Sequence, residues 1–250
     1  MQAYLTLVRR ELGSYFYSLA GYVTITIVLF LLGLSFVSIL TALNNLPSSM
    51  RITELFYNTM YFWLIILLAA PIITMRTFAL EKFSGTYETL MTAPVGDAQV
   101  VLAKFSGALL FYVILWLPLL GCLFIVRHYT NDASSLDPGG TAATFLGIIL
   151  LGALYMSLGC FASSLTRSQI VAAMISLALG ITLFMLGVMA YSNTVRSSVA
   201  GKFFGYLAMP EHMQNFARGV VDTRCVCYYA SLTAFFLFLT VKAVESRRWK

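Results

Sequence analysis

Six stretches of this chain carry no Asp, Glu, Lys or Arg, and each is long enough to hold one membrane-spanning helix. Glu11 to Arg51 encloses 39 such residues, Glu54 to Arg76 encloses 21, and Lys104 to Arg127 encloses 22. Asp137 to Arg167 encloses 29, Arg167 to Arg196 encloses 28, and Arg224 to Lys242 encloses 17. A helix crossing a bilayer needs ~17–25 apolar residues. The windows therefore predict spans near 22–42, 57–77, 104–126, 142–165, 169–191 and 224–243. The first window has length for two spans, but Asn44-Asn45-Leu46-Pro47-Ser48-Ser49 reads as a loop, so one span is expected there. Lys242 is expected to snorkel at the end of the last one. Apolar residues make up 60% of the 250 and charged residues 10%. That is too little charge to cover a water-facing surface, which excludes a soluble globular enzyme and a disordered chain. The fold class expected is an all-α membrane protein occupying 1–250 as one domain.

Six spans put both termini on one side. That side holds Arg9, Arg10, Arg76, Lys82, Lys104, Arg167, Lys242, Arg247, Arg248 and Lys250; the other holds Arg51, Arg127, Arg196, Lys202, Arg218 and Arg224. Ten against six places the termini in the cytoplasm. No cleavable signal peptide is evident.

Two segments are amphipathic. Tyr4, Leu7, Val8, Leu12, Tyr15, Phe16 and Leu19 recur at helical spacing with Arg9 and Arg10 off the stripe, which predicts an N-terminal helix in the cytoplasmic interface. Between spans two and three, Leu80, Phe83, Tyr87, Leu90 and Met91 form a second stripe over 79–93. Glu81 and Glu88 are seven apart and project from nearly the same face. Such a helix presents two carboxylates to the cytoplasm and its apolar stripe to the bundle. Gly85 either permits a close contact or breaks the helix, and Pro94 ends it. The outer segment 192–223 contains Phe203, Phe204, Tyr206, Leu207, Met213 and Phe216. It is too apolar for a free loop and is expected to form short, shielded helices.

Several chemistries are excluded by what the sequence lacks. There is no phosphate-cradling G-x-x-x-x-G-K-[ST] loop, no H-E-x-x-H and no G-x-S-x-G. The two histidines, His128 and His212, fall in outer segments, and no charge stands mid-span, where ion-coupled carriers usually need one. No catalytic or metal site is assigned, and the energy source is expected outside the chain. Cys225-Val226-Cys227 falls near the outer face, and a metal role there is the minor reading beside ordinary packing.

The run Glu81-Lys82-Phe83-Ser84-Gly85-Thr86-Tyr87-Glu88-Thr89-Leu90-Met91-Thr92-Ala93-Pro94 resembles the segment after the second span in permeases of type-2 ATP-binding-cassette (ABC) exporters, with pattern E-[KR]-x-x-G-T-x-E-x-L-x-x-x-P. Residues 161–173 and 215–224, with Glu245-Ser246-Arg247-Arg248-Trp249, resemble the branch of the gliding-motility-associated and nitrous-oxide-reductase maturation permeases. Cys225 departs from that pattern, which has an acidic residue after Thr-Arg.

The resemblance implies an elbow helix, a cytoplasmic coupling helix and an outer helical pair before span six. It implies a dimer with a second or homologous permease, two separate ATPase subunits that bind ATP and Mg, and no cofactor in this chain. Membrane lipids surround it, an extracytoplasmic accessory protein is a further possible partner, and nucleic acid is not one. Coupling residues implied are Glu81, Gly85, Thr86, Glu88 and Pro94, with Arg167 and Gln169 in the turn between spans four and five. His212, Phe216, Gly219 and Asp222 form the outer motif. Each has a plainer alternative: a solvated face for the carboxylates, a membrane-side anchor for Arg167, an interface residue for His212. The function expected is export driven by ATP; the alternative is relay of force to an extracytoplasmic partner without transport.

Overall fold

The computed structural model describes residues 2–45, 52–87, 96–130, 138–191 and 207–246. Among them all regular structure is α-helical: α1 (Gln2–Phe16), α2 (Leu19–Asn45), α3 (Ile52–Asn58), α4 (Met60–Thr74), α5 (Ala79–Ser84), α6 (Asp97–Thr130), α7 (Pro138–Leu165), α8 (Gln169–Tyr191), α9 (Met209–Ala217) and α10 (Thr223–Glu245). Six stretches are long and apolar enough to cross a membrane: Leu19–Ala42, Met60–Ser84, Asp97–Val126, Pro138–Leu165, Gln169–Met189 and Thr223–Glu245.

Several boundaries differ from the sequence expectation. Asn44 and Asn45 are still helical at the end of α2. The second span starts at Met60 because Thr59 takes an extended backbone (φ −73°, ψ 139°) and its Oγ1 donates to the Phe56 carbonyl at 2.7 Å. Residues 52–58 are thereby cut off as the separate helix α3. α6 begins at Asp97, whose carboxylate suits the positive end of the helix dipole. Lys242, near the end of the last span, pairs with Glu245 at 2.7 Å.

α7 is the axis of the bundle. It packs against α4, α6, α8, α9 and α10, and 67% of its central window is buried against 17% for α10. Small residues make this possible, as is usual where helices meet in a membrane. A Cβ at Gly159 would collide with the Thr74 side chain, and one at Gly152 with the Tyr112 ring. Around the axis Phe56, Tyr57, Phe62, Tyr112 and Trp116 form one buried aromatic cluster with centroids 4.7–6.0 Å apart.

The apolar stripe of α1 is taken up by α6. The Tyr4 and Ser106 hydroxyls are 2.7 Å apart, Tyr15 stacks on Phe111 at 4.8 Å, and Tyr15 Oη donates to the Ile73 carbonyl at 3.2 Å. Leu19 leaves the stripe and is 83% exposed, because the chain turns at Tyr17-Ser18 and Leu19 starts α2. That turn is tight enough that a Cβ at Gly21 would run into the Tyr15 carbonyl oxygen.

Candidate functional site

Two ends of the bundle carry the residues singled out by sequence. At the terminal side, span two does not simply stop. After α4 the chain makes a turn through 75–78 and enters α5, which α7 holds at both ends. The Ser163 hydroxyl oxygen accepts from Phe78 N and Ala79 N, both at 3.1 Å, so a side chain of another helix caps the first amides of α5. Ser163 in turn donates to the Met75 carbonyl at 3.2 Å. Lys82 Nζ donates to the Ser164 carbonyl, which caps the C-terminus of α7, and sits 5.2 Å from the Tyr87 ring centroid.

α5 ends at Gly85, whose backbone is left-handed at φ 75°. Among the described residues nothing lies within 4 Å of the position a Cβ would take there, so within the permease the glycine serves backbone conformation. Of the two readings open for Gly85, the break is the one found. Residues 88–93 of the segment expected to be helical lie outside the described residues. Thr86 and Tyr87 are helical again beyond the break, with Thr86 Oγ1 2.9 Å from Ser84 Oγ. The burial pattern also differs from the stripe expected: Lys82 is buried, while Phe83 is 78% exposed. Glu88 and Pro94 lie outside the described residues.

Glu81 is not a free surface carboxylate. Its Oε1 accepts from Lys104 Nζ at 2.8 Å, and Lys104 Nζ also reaches Glu11 Oε1 at 3.0 Å. The outer rim of this cluster is Arg10, 3.0 Å from Glu11 and 3.5 Å from Glu81. The Lys104 side chain is 3% exposed. A buried ammonium is tolerated only when paired, and here two carboxylates from two different elements pair it. One ammonium therefore ties α5, α1 and α6 together. Sequence reasoning missed Glu11 and Lys104 in this role, since Glu11 served only as a border of a charge-free window and Lys104 as a border and one of the ten terminal-side cations. The available signal was their position: opposite charges flanking the apolar windows on the same side of the membrane.

Arg167 and Gln169 come close to this assembly. Phe83, Arg167, Ser168, Gln169 and Ile170 line one shallow depression of ≈470 Å³. Arg167 and Ser168 are exposed, and Ile170 is 73% exposed. Both sequence-derived coupling segments thus meet on one surface, which is part apolar and part cationic.

At the opposite end, α9 is buried against α3, α7 and α8. Phe216 lies over Gly147, where a Cβ would come within 2.9 Å of its ring. Thr53 Oγ1 donates to the Ala217 carbonyl at 3.0 Å, and Arg218 Nε pairs with Glu54 at 3.1 Å. Gly219 is left-handed at φ 80° and ends α9, with Val220 N donating to the Asn215 carbonyl at 2.9 Å. Asp222 caps α10, its carboxylate accepting from Arg224 N at 2.9 Å. His212 is buried with Tyr228 and Tyr229 each 5.8 Å from its ring. Burial pushes its pKa down, partly opposed by Glu211 and Asp222. Cys225 is buried and Cys227 exposed, so the two thiols of the pair have different surroundings.

The six long apolar helices among the described residues define a multi-pass membrane protein. The sequence matches the family described as ABC-2 family transporter protein over residues 5–239, and the chain belongs to that family: it is a type-2 ABC permease. No curated protein matches the chain significantly. Membership implies an ABC ATPase as partner and a permease dimer.

Proposed function

We propose that this chain is the membrane subunit of an ATP-driven exporter, working without a catalytic site of its own. ATP and Mg would be held by a separate ATPase docked beneath the depression at Phe83, Arg167 and Ile170. The termini would lie in the cytoplasm of a bacterium whose inner membrane holds the permease dimer. The motifs at 161–173 and 215–224 favour the gliding-motility-like branch.

The observation that carries this reading is the clamping of α5. A push on the depression bears on a segment bonded to α7 through Ser163 and Lys82, and to α6 and α1 through Glu81 and Lys104. Closure of an ATPase dimer would thus move three long helices together. In this division of labour Glu81 transmits inside the permease, and Glu88 is the carboxylate of the motif left to face the ATPase.

The test is Phe83→Asp combined with Ile170→Asp. Both side chains are largely exposed, so thermal stability of the permease should stay as in the wild type. Co-purification of the ATPase and stimulation of its activity should both fall. If both remain unchanged, the docking surface is elsewhere.

A further inference from the structure

Between α1, the turn after α4 and the first turns of α6 lies a cavity of ≈250 Å³, with Arg10, Glu11, Ser18, Arg76, Glu81 and Lys104 in its wall. Three cations face two carboxylates there, leaving one positive charge uncompensated. The ion pairs say where it resides. Both carboxylates give their Oε1 to Lys104 and share Arg10. Arg76 makes no hydrogen bond or ion pair among the described residues, although it is half-buried. A guanidinium offers five N–H donors, and among the described residues no acceptor meets them.

The level of the cavity is set by the chain. Ser18 directly precedes the first candidate span, and Arg76 and Lys104 lie toward the terminal-side ends of the second and third. Tyr17 (93%), Leu19 (83%) and Tyr22 (60%) are exposed beside Ser18, the exposure pattern of an aromatic belt at lipid headgroup depth. Basic pockets between spanning helices at this depth suit lipid phosphates.

We propose that this cavity binds the phosphate of an anionic phospholipid, with the Arg76 guanidinium as its anchor. A phosphodiester carries one negative charge, which matches the one uncompensated positive charge and leaves the Glu11–Lys104–Glu81 cluster intact. The guanidinium fork donates to two phosphate oxygens side by side. Free inorganic phosphate shares this chemistry, but it brings no acyl chains to lie along the exposed residues of α2. The assignment is independent of which substrate the transporter moves and of how the ATPase docks.

The experiment uses the full-length chain, delipidated in detergent. It is titrated separately with phosphatidylglycerol, phosphatidylcholine and inorganic phosphate, and binding is read by native mass spectrometry and by thermal unfolding. Phosphatidylglycerol should remain bound and raise Tm, with phosphatidylcholine and inorganic phosphate much weaker at the same concentration. Arg76→Gln should bind phosphatidylglycerol about five- to tenfold more weakly, while its Tm without lipid should match wild type, because no hydrogen bond or ion pair among the described residues is lost. Arg10→Gln, which also lowers the cavity charge, should weaken binding in the same direction and serves if Arg76→Gln fails to fold. Exposed Arg9→Gln, outside the cavity wall, should bind as wild type does. Equal phosphatidylglycerol affinity in wild type and Arg76→Gln overturns the site. Equal binding of the two lipids, or protection by inorganic phosphate alone, overturns the lipid assignment.

Discussion

At the scale of single residues, Lys104 decides most. Its ammonium sits between Glu11 and Glu81 with 3% of the side chain exposed. Lys104→Met would leave two carboxylates facing each other in a poorly hydrated place. The expected cost is about 3 kcal/mol, the lower end of what removing one partner from a buried ion pair costs. Adding Glu11→Gln and Glu81→Gln should recover part of that loss, because the repulsion goes with the charges. Thermal unfolding of the single and triple variants checks this, and a single variant as stable as wild type would refute the lock. The lock was not legible in the sequence. Its members are 93 and 23 residues apart, and each reads alone as a charge at the edge of an apolar run. The composition did show that charges are few, which is why each one kept near a span end is informative.

At the scale of elements, glycines and one histidine carry the testable content. The α1–α2 turn brings the Tyr15 carbonyl onto Gly21, whereas among the described residues nothing lies within 4 Å of where a Cβ on Gly33, in the middle of α2, would sit. Gly21→Ala should therefore destabilise by about 1–3 kcal/mol, the usual cost of overpacking, while Gly33→Ala should be neutral or slightly stabilising through helix propensity. Their Tm values in one detergent make the comparison. In α9, burial lowers the His212 pKa below its ordinary 6.5. The folded state then binds a proton less readily than the unfolded state. The His212 contribution is thus undiminished above about pH 6.5, is lost as pH falls toward the lowered folded value, and changes no further below it. The groups around it are Glu211, Asp222, Tyr228 and Tyr229. Relative to His212→Gln, wild type should lose stability between pH 7 and 5, and parallel Tm-versus-pH curves would contradict this. Helix existence was readable from hydropathy because a span must be long and apolar. What happens at Gly85 was readable only as a choice, since close contact and left-handed backbone favour the same residue.

At the scale of the whole molecule, mean hydropathy identifies spans but not their order in the bundle. Asp97–Val126 is the most apolar of the six at 2.7, yet Pro138–Leu165, at 2.1, is the one at the centre. Small residues along α7, and not hydrophobicity, set that place. The two ends are nevertheless fixed by bonds that join distant segments. Glu54–Arg218 and Thr53–Ala217 close one end, and Glu11–Lys104–Glu81 and Ser163–Phe78 close the other. Whichever end faces the cytoplasm, all the groups of one end must share that side. The basic residues divide ten to six in favour of the end that holds the N-terminus and the Phe83 depression, so that end is expected inside. Two exposed positions report it: Phe83 on α5 and Arg218 beyond α9. In a chain whose four native cysteines are replaced by serine or alanine, Phe83→Cys and Arg218→Cys are labelled in intact cells with a membrane-impermeant maleimide. Arg218→Cys should react and Phe83→Cys should react only after permeabilisation. The reverse pattern would place the depression outside, beyond reach of any cytoplasmic ATPase, and would remove the proposed coupling route at the same time. Labelling of both positions in intact cells would contradict the membrane crossing of the helices between them.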